Sequence, residues 1–136
     1  MIFTVLSHEV DEYRQHFEPV LKQIDGMSDQ VTSEDVFRQV ASAHAQLWGW
    51  AEDGEVKAAV STRIYEMAKG KLCHIWICIG YGYKDQLLKM HDEIEAWARS
   101  MGCYAIEIVG REGWMKDLDG YKKTAVVMEK PLTKVH

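Results

Sequence analysis

The chain has 136 residues, of which 47% are hydrophobic, and its formal net charge is −5. This length predicts one domain, 1–136, with a core of its own, and the acidic balance argues against a nucleic-acid partner, which basic residues would have to hold. No apolar run approaches the roughly 20 residues needed to cross a bilayer, and the N-terminal residues lack the basic flank of a secretory signal. These features predict a soluble cytoplasmic protein with no membrane partner.

The first third of the chain predicts one strand followed by two helices. Residues 1–6 form an apolar strand, and the apolar positions of residues 10–24 repeat with the period of a helix. Pro19 lies deep inside that segment, and a kink or break is expected near Glu18 because proline lacks a backbone N–H and clashes with the preceding turn. Thr32 or Ser33, with acidic residues just behind, begins the next helix.

The middle of the chain predicts three strands joined by hairpins and then a long helix. Residues 47–51 and 56–65 flank a tight turn, and residues 72–79 are apolar at nearly every position, as in a central strand covered on both faces. Residues 84–101 place apolar side chains on one side of a helix, which ends at Gly102 in a left-handed cap.

The last third predicts two more strands, 103–109 and 121–129, separated by a short helix at 113–118. The complete order predicts a mixed α/β (α+β) fold, with a mostly antiparallel central sheet and helices on both faces. A strand, turn, helix and strand in succession bring a strand end beside a helix N-terminus, so a ligand crevice is expected at Gly80-Tyr81-Gly82.

Histidines and cysteines in apolar segments are interpreted as structural. Cys73 and Cys78 are predicted to point to opposite faces of one strand because side chains alternate, which argues against a shared metal ion. Cys103 also lies in a strand, so reduced thiols and no metal are expected. His74 and His91 are interpreted as neutral, hydrogen-bonded side chains.

Two stretches of the chain resemble known proteins. Residues 94–103, Ile-Glu-Ala-Trp-Ala-Arg-Ser-Met-Gly-Cys, followed by Ile106-Glu107-Ile108, look like the end of the cofactor helix and the next strand of the GNAT N-acetyltransferase superfamily. The later stretch Gly110-Arg111-Glu112-Gly113-Trp114 and the closing residues 127–132 resemble small GNAT-like proteins of phages and prophages with a degenerate cofactor loop. The resemblance implies transfer of an acetyl group from acetyl-coenzyme A to the amine of a small molecule or protein.

The resemblance also implies where acetyl-coenzyme A would bind. In the family the cofactor lies along the fourth strand, and its diphosphate meets backbone N–H groups of a glycine-containing turn at a helix N-terminus, where the helix dipole favours an anion. Lysine beside that turn would neutralise phosphate charge. The implied cofactor-binding residues are Ile77, Cys78, Ile79, Gly80, Gly82 and Lys84.

Two residues depart from the family pattern at this turn. An ungapped alignment from Trp97 puts Asp85 and Leu87 where the family has glycines. Asp85 adds a negative charge beside the expected phosphates, and Leu87 adds a bulky side chain. Gly80 and Gly82 could replace the missing glycines, or they could form an ordinary turn that needs no ligand.

Glu107 and Tyr121 are the implied catalytic residues. Family members often use a carboxylate on the fourth or fifth strand as base, and Glu107 is the only carboxylate in the fifth. The usual tyrosine acid falls on Lys116, so Tyr121 or Tyr104 would have to replace it. Alternatively, Glu107 points to an exposed sheet end or pairs with Lys122 or Lys123, and the tyrosines are core or rim aromatics.

Arg111 and Trp114 are the predicted substrate-binding residues because they follow the carboxyl end of a strand, where such sheets bind ligands. Two functions remain open. One is a GNAT-like N-acyltransferase. The other is a catalytically silent protein of the same fold that joins a homo-oligomer or a virion or other phage partner, with its crevice filled by Tyr81, Tyr83 and Leu87.

Overall fold

The computed structural model describes residues 1–27, 30–109 and 117–133. Within these ranges a central sheet is flanked by helices on both faces, which confirms the predicted fold class. In chain order the elements are β1 (Ile2–Val5), a 3₁₀ turn (Ser7–Glu9), α1 (Val10–Leu21), a 3₁₀ segment (Lys22–Gly26), α2 (Ser33–Ala41), β2 (Gln46–Glu52), β3 (Glu55–Met67), β4 (Gly70–Ile79), α3 (Lys84–Ser100) and β5 (Cys103–Ile108).

The five strands follow one another across the sheet in chain order. Strands β1 to β4 pair antiparallel, and only β4 and β5 are parallel. Helices α1 and α2 bury one face of the sheet, in a core that includes Phe17, Leu21 and Leu47. Helix α3 buries the other face, where Met90 and Ile94 are fully enclosed.

Local signals place the helix ends as the sequence predicts. Thr32 caps α2: its Oγ1 accepts from the Asp35 backbone N–H at 3.2 Å, and the Asp35 carboxylate accepts from the Thr32 N–H at 3.0 Å. Gly102, at φ +80°, follows α3 in the left-handed conformation.

Helix α1 continues through Pro19 to Leu21, so the predicted break near Glu18 is wrong. Pro19 lies in the last turn and its ring is exposed, so few backbone hydrogen bonds are lost beyond it. The buried side chains of Val20 and Leu21 hold that last turn against the sheet.

One β-bulge changes the side-chain pattern of β4. Thr62 of β3 pairs with Ile75 and Ser61 pairs with Ile77, so Trp76 is an extra residue without a partner on β3. Alternation is therefore shifted by one residue, and Cys73 and Cys78 both lie in the core beneath α3. The prediction that these cysteines face opposite ways is wrong because it assumed a regular strand.

The predicted final strand, 121–129, is also absent from the structure. Residues 121–133 form no strand or helix, and consecutive apolar side chains there are exposed. The predicted short helix at 113–118 lies mostly outside the described residues. Across the described parts of the chain, no helix is both long enough and apolar enough to cross a bilayer.

Candidate active site

Strands β4 and β5 separate halfway along β4. Their parallel pairing runs from Lys71 with Cys103 to Ile75 with Ile108, where β5 ends. Strand β4 continues for four more residues, to Ile79, and its pairing with β5 does not extend there. The separation leaves an opening in the sheet beside the start of α3.

An apolar cavity lies at this opening, on the α3 side of the sheet. The residues that line it are Val60, Ile75, Cys78, Leu87, His91, Ile94, Ile108 and Leu118. Of the predicted cofactor residues on β4, only Cys78 lines the cavity, because the bulge turns Ile77 and Ile79 to the α1 side. Burial raises the pKa of the Cys78 thiol to about 11, so the thiol is protonated near neutral pH and is a poor nucleophile.

The turn between β4 and α3 needs glycine at two positions for different reasons. The Tyr83 N–H donates to the Gly80 carbonyl at 3.0 Å, and Gly82 has φ +79°, which disfavours any side chain. A Cβ on Gly80 would lie 2.7 Å from the Ala58 Cβ on β3. Contact with β3 and backbone conformation therefore account for Gly80 and Gly82.

Gly80→Ala is expected to lower the free energy of unfolding by about 1–3 kcal/mol, because the added Cβ overlaps Ala58. In a double-mutant cycle measured by urea denaturation, Ala58→Gly should recover part of that loss. Gly82→Ala is the matched control: it should lose about 1–2 kcal/mol through its positive φ, with no recovery from Ala58→Gly. Equal recovery in both backgrounds would contradict the specific contact.

The first turn of α3 presents a mixed set of charges. The Tyr83 side chain makes no capping hydrogen bond, so the helix N-terminus keeps backbone donors that favour an anion. Lys84 Nζ lies 3.0 Å from Asp117 Oδ1, and Asp85 is exposed. Leu87 is buried in the core beneath α3, so its side chain does not cover the helix N-terminus.

On the opposite face of the sheet, Arg63, His74 and Glu107 form one row across three strands. Arg63 pairs with His74 in the β3–β4 register, and His74 pairs with Glu107 in the β4–β5 register. His74 Nδ1 lies 2.8 Å from Glu107 Oε1. The His74 side chain is 12% exposed and that of Glu107 is 44% exposed, so the carboxylate is held by a buried partner and still reaches solvent.

Aromatic rings surround this row. The Arg63 guanidinium lies 4.0 Å from the centre of the Trp76 ring and 5.6 Å from that of Tyr65. The Tyr65 ring lies 5.7 Å from the His74 ring. Arg63 Nε is buried and has no hydrogen-bond partner among the described residues. The sequence analysis missed Arg63, Tyr65 and Trp76, because only the strand register brings them to Glu107.

Tyr121 lies on the α3 side of the sheet, away from Glu107. Its hydroxyl is 2.6 Å from His91 Nε2, and His91 lines the cavity at the strand opening. Burial raises the pKa of the Tyr121 hydroxyl well above its ordinary value, and the charge of Glu95 adds to the effect. The structure therefore does not bring the two predicted catalytic residues together; the sheet separates them.

The predicted substrate residues Arg111 and Trp114 lie outside the described residues. In the three described ranges, no group of three His, Cys, Asp or Glu side chains is arranged to hold a metal ion. Among the described residues, the Glu107 row on one face and the His91–Tyr121 pair on the other are two sets of polar groups that could take part in chemistry.

Solved acetyltransferases share this architecture. A glucosamine-6-phosphate N-acetyltransferase from Arabidopsis thaliana matches with a TM-score of 0.73 and 20% identity, over 98% of each chain. The chain has the GNAT fold. An aminoglycoside acetyltransferase from an uncultured soil metagenomic sample matches this GNAT-fold chain with a TM-score of 0.73 and 9% identity, over 98% of this chain and 96% of its own.

A third GNAT-fold neighbour is a predicted acetyltransferase with acetyl-CoA from Clostridium acetobutylicum. It matches with a TM-score of 0.66 and 13% identity, over 97% of this chain and 96% of its own. No protein-family model matches the chain, and no curated protein sequence matches it. Its likeness to these enzymes is therefore one of fold.

Proposed function

We propose that this protein is an N-acetyltransferase that moves an acetyl group from acetyl-coenzyme A to the amine of a small molecule. One observation carries the proposal: the only carboxylate of β5, Glu107, lies beside the point where the parallel strands separate and is hydrogen-bonded to His74. A half-exposed carboxylate at that position can meet an acceptor amine from solvent.

Glu107 acts as the general base in this proposal. The carboxylate accepts a proton from the acceptor ammonium group, directly or through one water molecule, and so frees the nitrogen lone pair. His74, donating from Nδ1, holds the carboxylate in place while the proton moves. Acetyl-coenzyme A would supply the thioester whose carbonyl carbon the amine attacks; the C–S bond would break, and coenzyme A would leave as a thiolate that takes up a proton.

The residues at the strand opening fit the cofactor in part. The cavity has room for only about one water molecule, so a pantetheine arm would have to lie in the gap between the separated ends of β4 and β5, and the uncapped N-terminus of α3 suits a diphosphate. Lys84 adds a positive charge there, but its ammonium group is ion-paired with Asp117. The negative charge of Asp85 repels a bound anion. We infer a site that accepts the cofactor with reduced affinity.

Arg63 supports a particular class of acceptor. It lies in the same row as Glu107, two strands away, which separates the two residues by about 10 Å of sheet. A guanidinium stacked on Trp76 is well suited to hold a carboxylate or phosphate. The geometry favours an amine that also carries an anionic group, and glucosamine 6-phosphate, named for one structural neighbour, combines the two.

Acetyl-coenzyme A is expected to raise the melting temperature of the protein. At a ligand concentration 100 times Kd, mass action raises the free energy of unfolding by about 2.7 kcal/mol, which differential scanning fluorimetry detects. Asp85→Asn should move the half-maximal shift to lower ligand concentration because it removes a negative charge beside the phosphates. Glu93→Gln, which neutralises an exposed carboxylate further along α3, is the matched control and should leave the titration unchanged.

No shift with millimolar acetyl-coenzyme A would contradict the enzyme and favour the catalytically silent, partner-binding protein. A rise in melting temperature with acetyl-coenzyme A, but no release of thiol when amino-sugar phosphates or amino acids are added, would show that the cofactor binds. It would also show that this choice of acceptor is wrong.

A further inference from the structure

Residues 117–121 form a turn that lies against α3 at the opening between β4 and β5. The start of this turn makes two contacts there. Asp117 Oδ1 lies 3.0 Å from Lys84 Nζ, and the side chain of Leu118, which is 7% exposed, forms part of the cavity wall. Both contacts therefore lie where the cofactor is proposed to bind.

The end of the turn is held by Tyr121. Its hydroxyl lies 2.6 Å from His91 Nε2, and the centres of the two rings are 5.5 Å apart. The His91 side chain is 11% exposed, so little water competes for this hydrogen bond. Among the described residues, no strand or helix makes a backbone hydrogen bond with 117–121. Side chains alone thus hold the turn, and a ligand can displace it without breaking the sheet.

Two of these three contacts use groups that acetyl-coenzyme A needs. Lys84 is the only basic residue in the first turn of α3, and its ion pair with Asp117 neutralises the charge that a diphosphate would meet. Leu118 is one wall of the apolar cavity, which has room for about one water molecule. A pantetheine arm in the gap between β4 and β5 would compete with Leu118 for the same apolar space.

We propose that residues 117–121 are an autoinhibitory segment, which closes the cofactor opening in the free protein and leaves it when coenzyme A binds. This inference rests on the proposed function, because that function assigns the cofactor to this opening. Asp117 gives up Lys84 to the diphosphate, and Leu118 leaves the gap to the pantetheine arm. Release of the segment also breaks the hydrogen bond between Tyr121 and His91, so all three contacts oppose binding.

The autoinhibitory segment has a consequence of definite sign for affinity. The apparent affinity falls in proportion to the fraction of molecules in which the opening is free. A substitution that weakens a closing contact raises that fraction, so it should tighten binding. The loss of a residue that contacts the ligand has the opposite sign, because it weakens binding.

Isothermal titration calorimetry of the full-length chain with coenzyme A, which binds without reacting, tests the proposal. Asp117→Asn should lower Kd about two- to fivefold, as expected for loss of a partly exposed ion pair. Tyr121→Phe should lower Kd about three- to tenfold with no change of charge, because the ring stays and only the hydrogen bond is lost. Asp119→Asn, which neutralises an exposed carboxylate of the same turn, is the matched control and should keep the wild-type Kd.

Nitrogen NMR signals of the His91 ring report release of the segment directly and require no activity. In the free wild-type protein they should be those of a ring hydrogen-bonded to Tyr121. Saturating coenzyme A should move them to the values found in free Tyr121→Phe, where this hydrogen bond is absent.

The possible failures are distinguishable. Equal Kd values for the wild type, Asp117→Asn and Tyr121→Phe, or unchanged His91 signals with coenzyme A bound, would overturn the autoinhibitory segment and leave the acetyltransferase standing. Weaker binding by both variants would also overturn it, because both residues would then be ligand contacts. Equal tightening by Asp117→Asn and Asp119→Asn, with no effect of Tyr121→Phe, would reduce the result to charge and overturn it as well. Binding of coenzyme A to none of these chains would overturn the segment together with the proposed function.

Discussion

Glu107→Gln is expected to lower kcat for acetyl transfer by about 10²–10⁴-fold, with little change in the melting temperature. Glutamine keeps the size of the side chain and an oxygen that accepts from His74 Nδ1, which lies 2.8 Å from the present carboxylate. It cannot take a proton from the acceptor ammonium group. Steady-state thiol release with saturating acetyl-coenzyme A measures the effect.

Two comparisons separate loss of a base from a general disturbance of the site. Glu66→Gln removes an exposed carboxylate from β3, two strands away in the same sheet, and should keep wild-type kcat. An acceptor whose amine has a low pKa is already deprotonated at neutral pH, so its acetylation should be much less sensitive to Glu107→Gln. Equal losses for acceptors of high and low pKa would contradict the assignment of Glu107 as base.

Phe17→Ala is expected to cost about 3–5 kcal/mol of unfolding free energy. Phe17 is fully buried between α1 and the sheet, and its ring centre lies 5.6 Å from that of Phe3. A Cβ on Gly49 would lie 2.8 Å from the Phe17 ring. The Phe17 ring therefore fits against β2 only because residue 49 is glycine. Truncation would leave a cavity that the rigid sheet beneath cannot close.

Urea denaturation of Phe17→Ala beside Gln15→Ala measures that cost. Gln15 lies on the exposed side of the same helix, and its truncation should change the free energy of unfolding by no more than about 0.5 kcal/mol. A loss below 1 kcal/mol for Phe17→Ala would mean that neighbouring side chains refill the space, and that the core beneath α1 is softer than its burial indicates.

Local sequence patterns predicted the elements that local interactions determine. The capping box at Thr32, the apolar face of α3 and the left-handed Gly102 each depend on residues within a few positions of one another. The predicted strand 121–129 failed for the opposite reason. Its residues favour a strand, but a strand also needs an edge to pair with, and this segment pairs with none of the described strands.

The sequence predicted only part of the candidate site. Glu107 was identified from the family resemblance, as the only carboxylate of the fifth strand, whereas nothing in the resemblance pointed to Arg63, Tyr65 or Trp76. They lie close together because of the register of three strands and because one inserted residue, Trp76, shifts the side-chain alternation of β4. No local sequence pattern predicts that insertion. The same insertion explains the wrong orientation predicted for Cys78.

The apolar cavity and the Glu107 row lie on opposite faces of the sheet, which communicate where β4 and β5 separate. The cavity at the strand opening belongs to the α3 face, while Arg63, His74 and Glu107 belong to the other. Because neighbouring residues of a strand point to opposite faces, a substitution at 63 or 107 leaves the packing under α3 intact. In such a fold the residues that face the acceptor can be substituted at small cost to stability, because they are not the residues that pack beneath α3. The acceptor can therefore change during evolution while the rest of the site is kept.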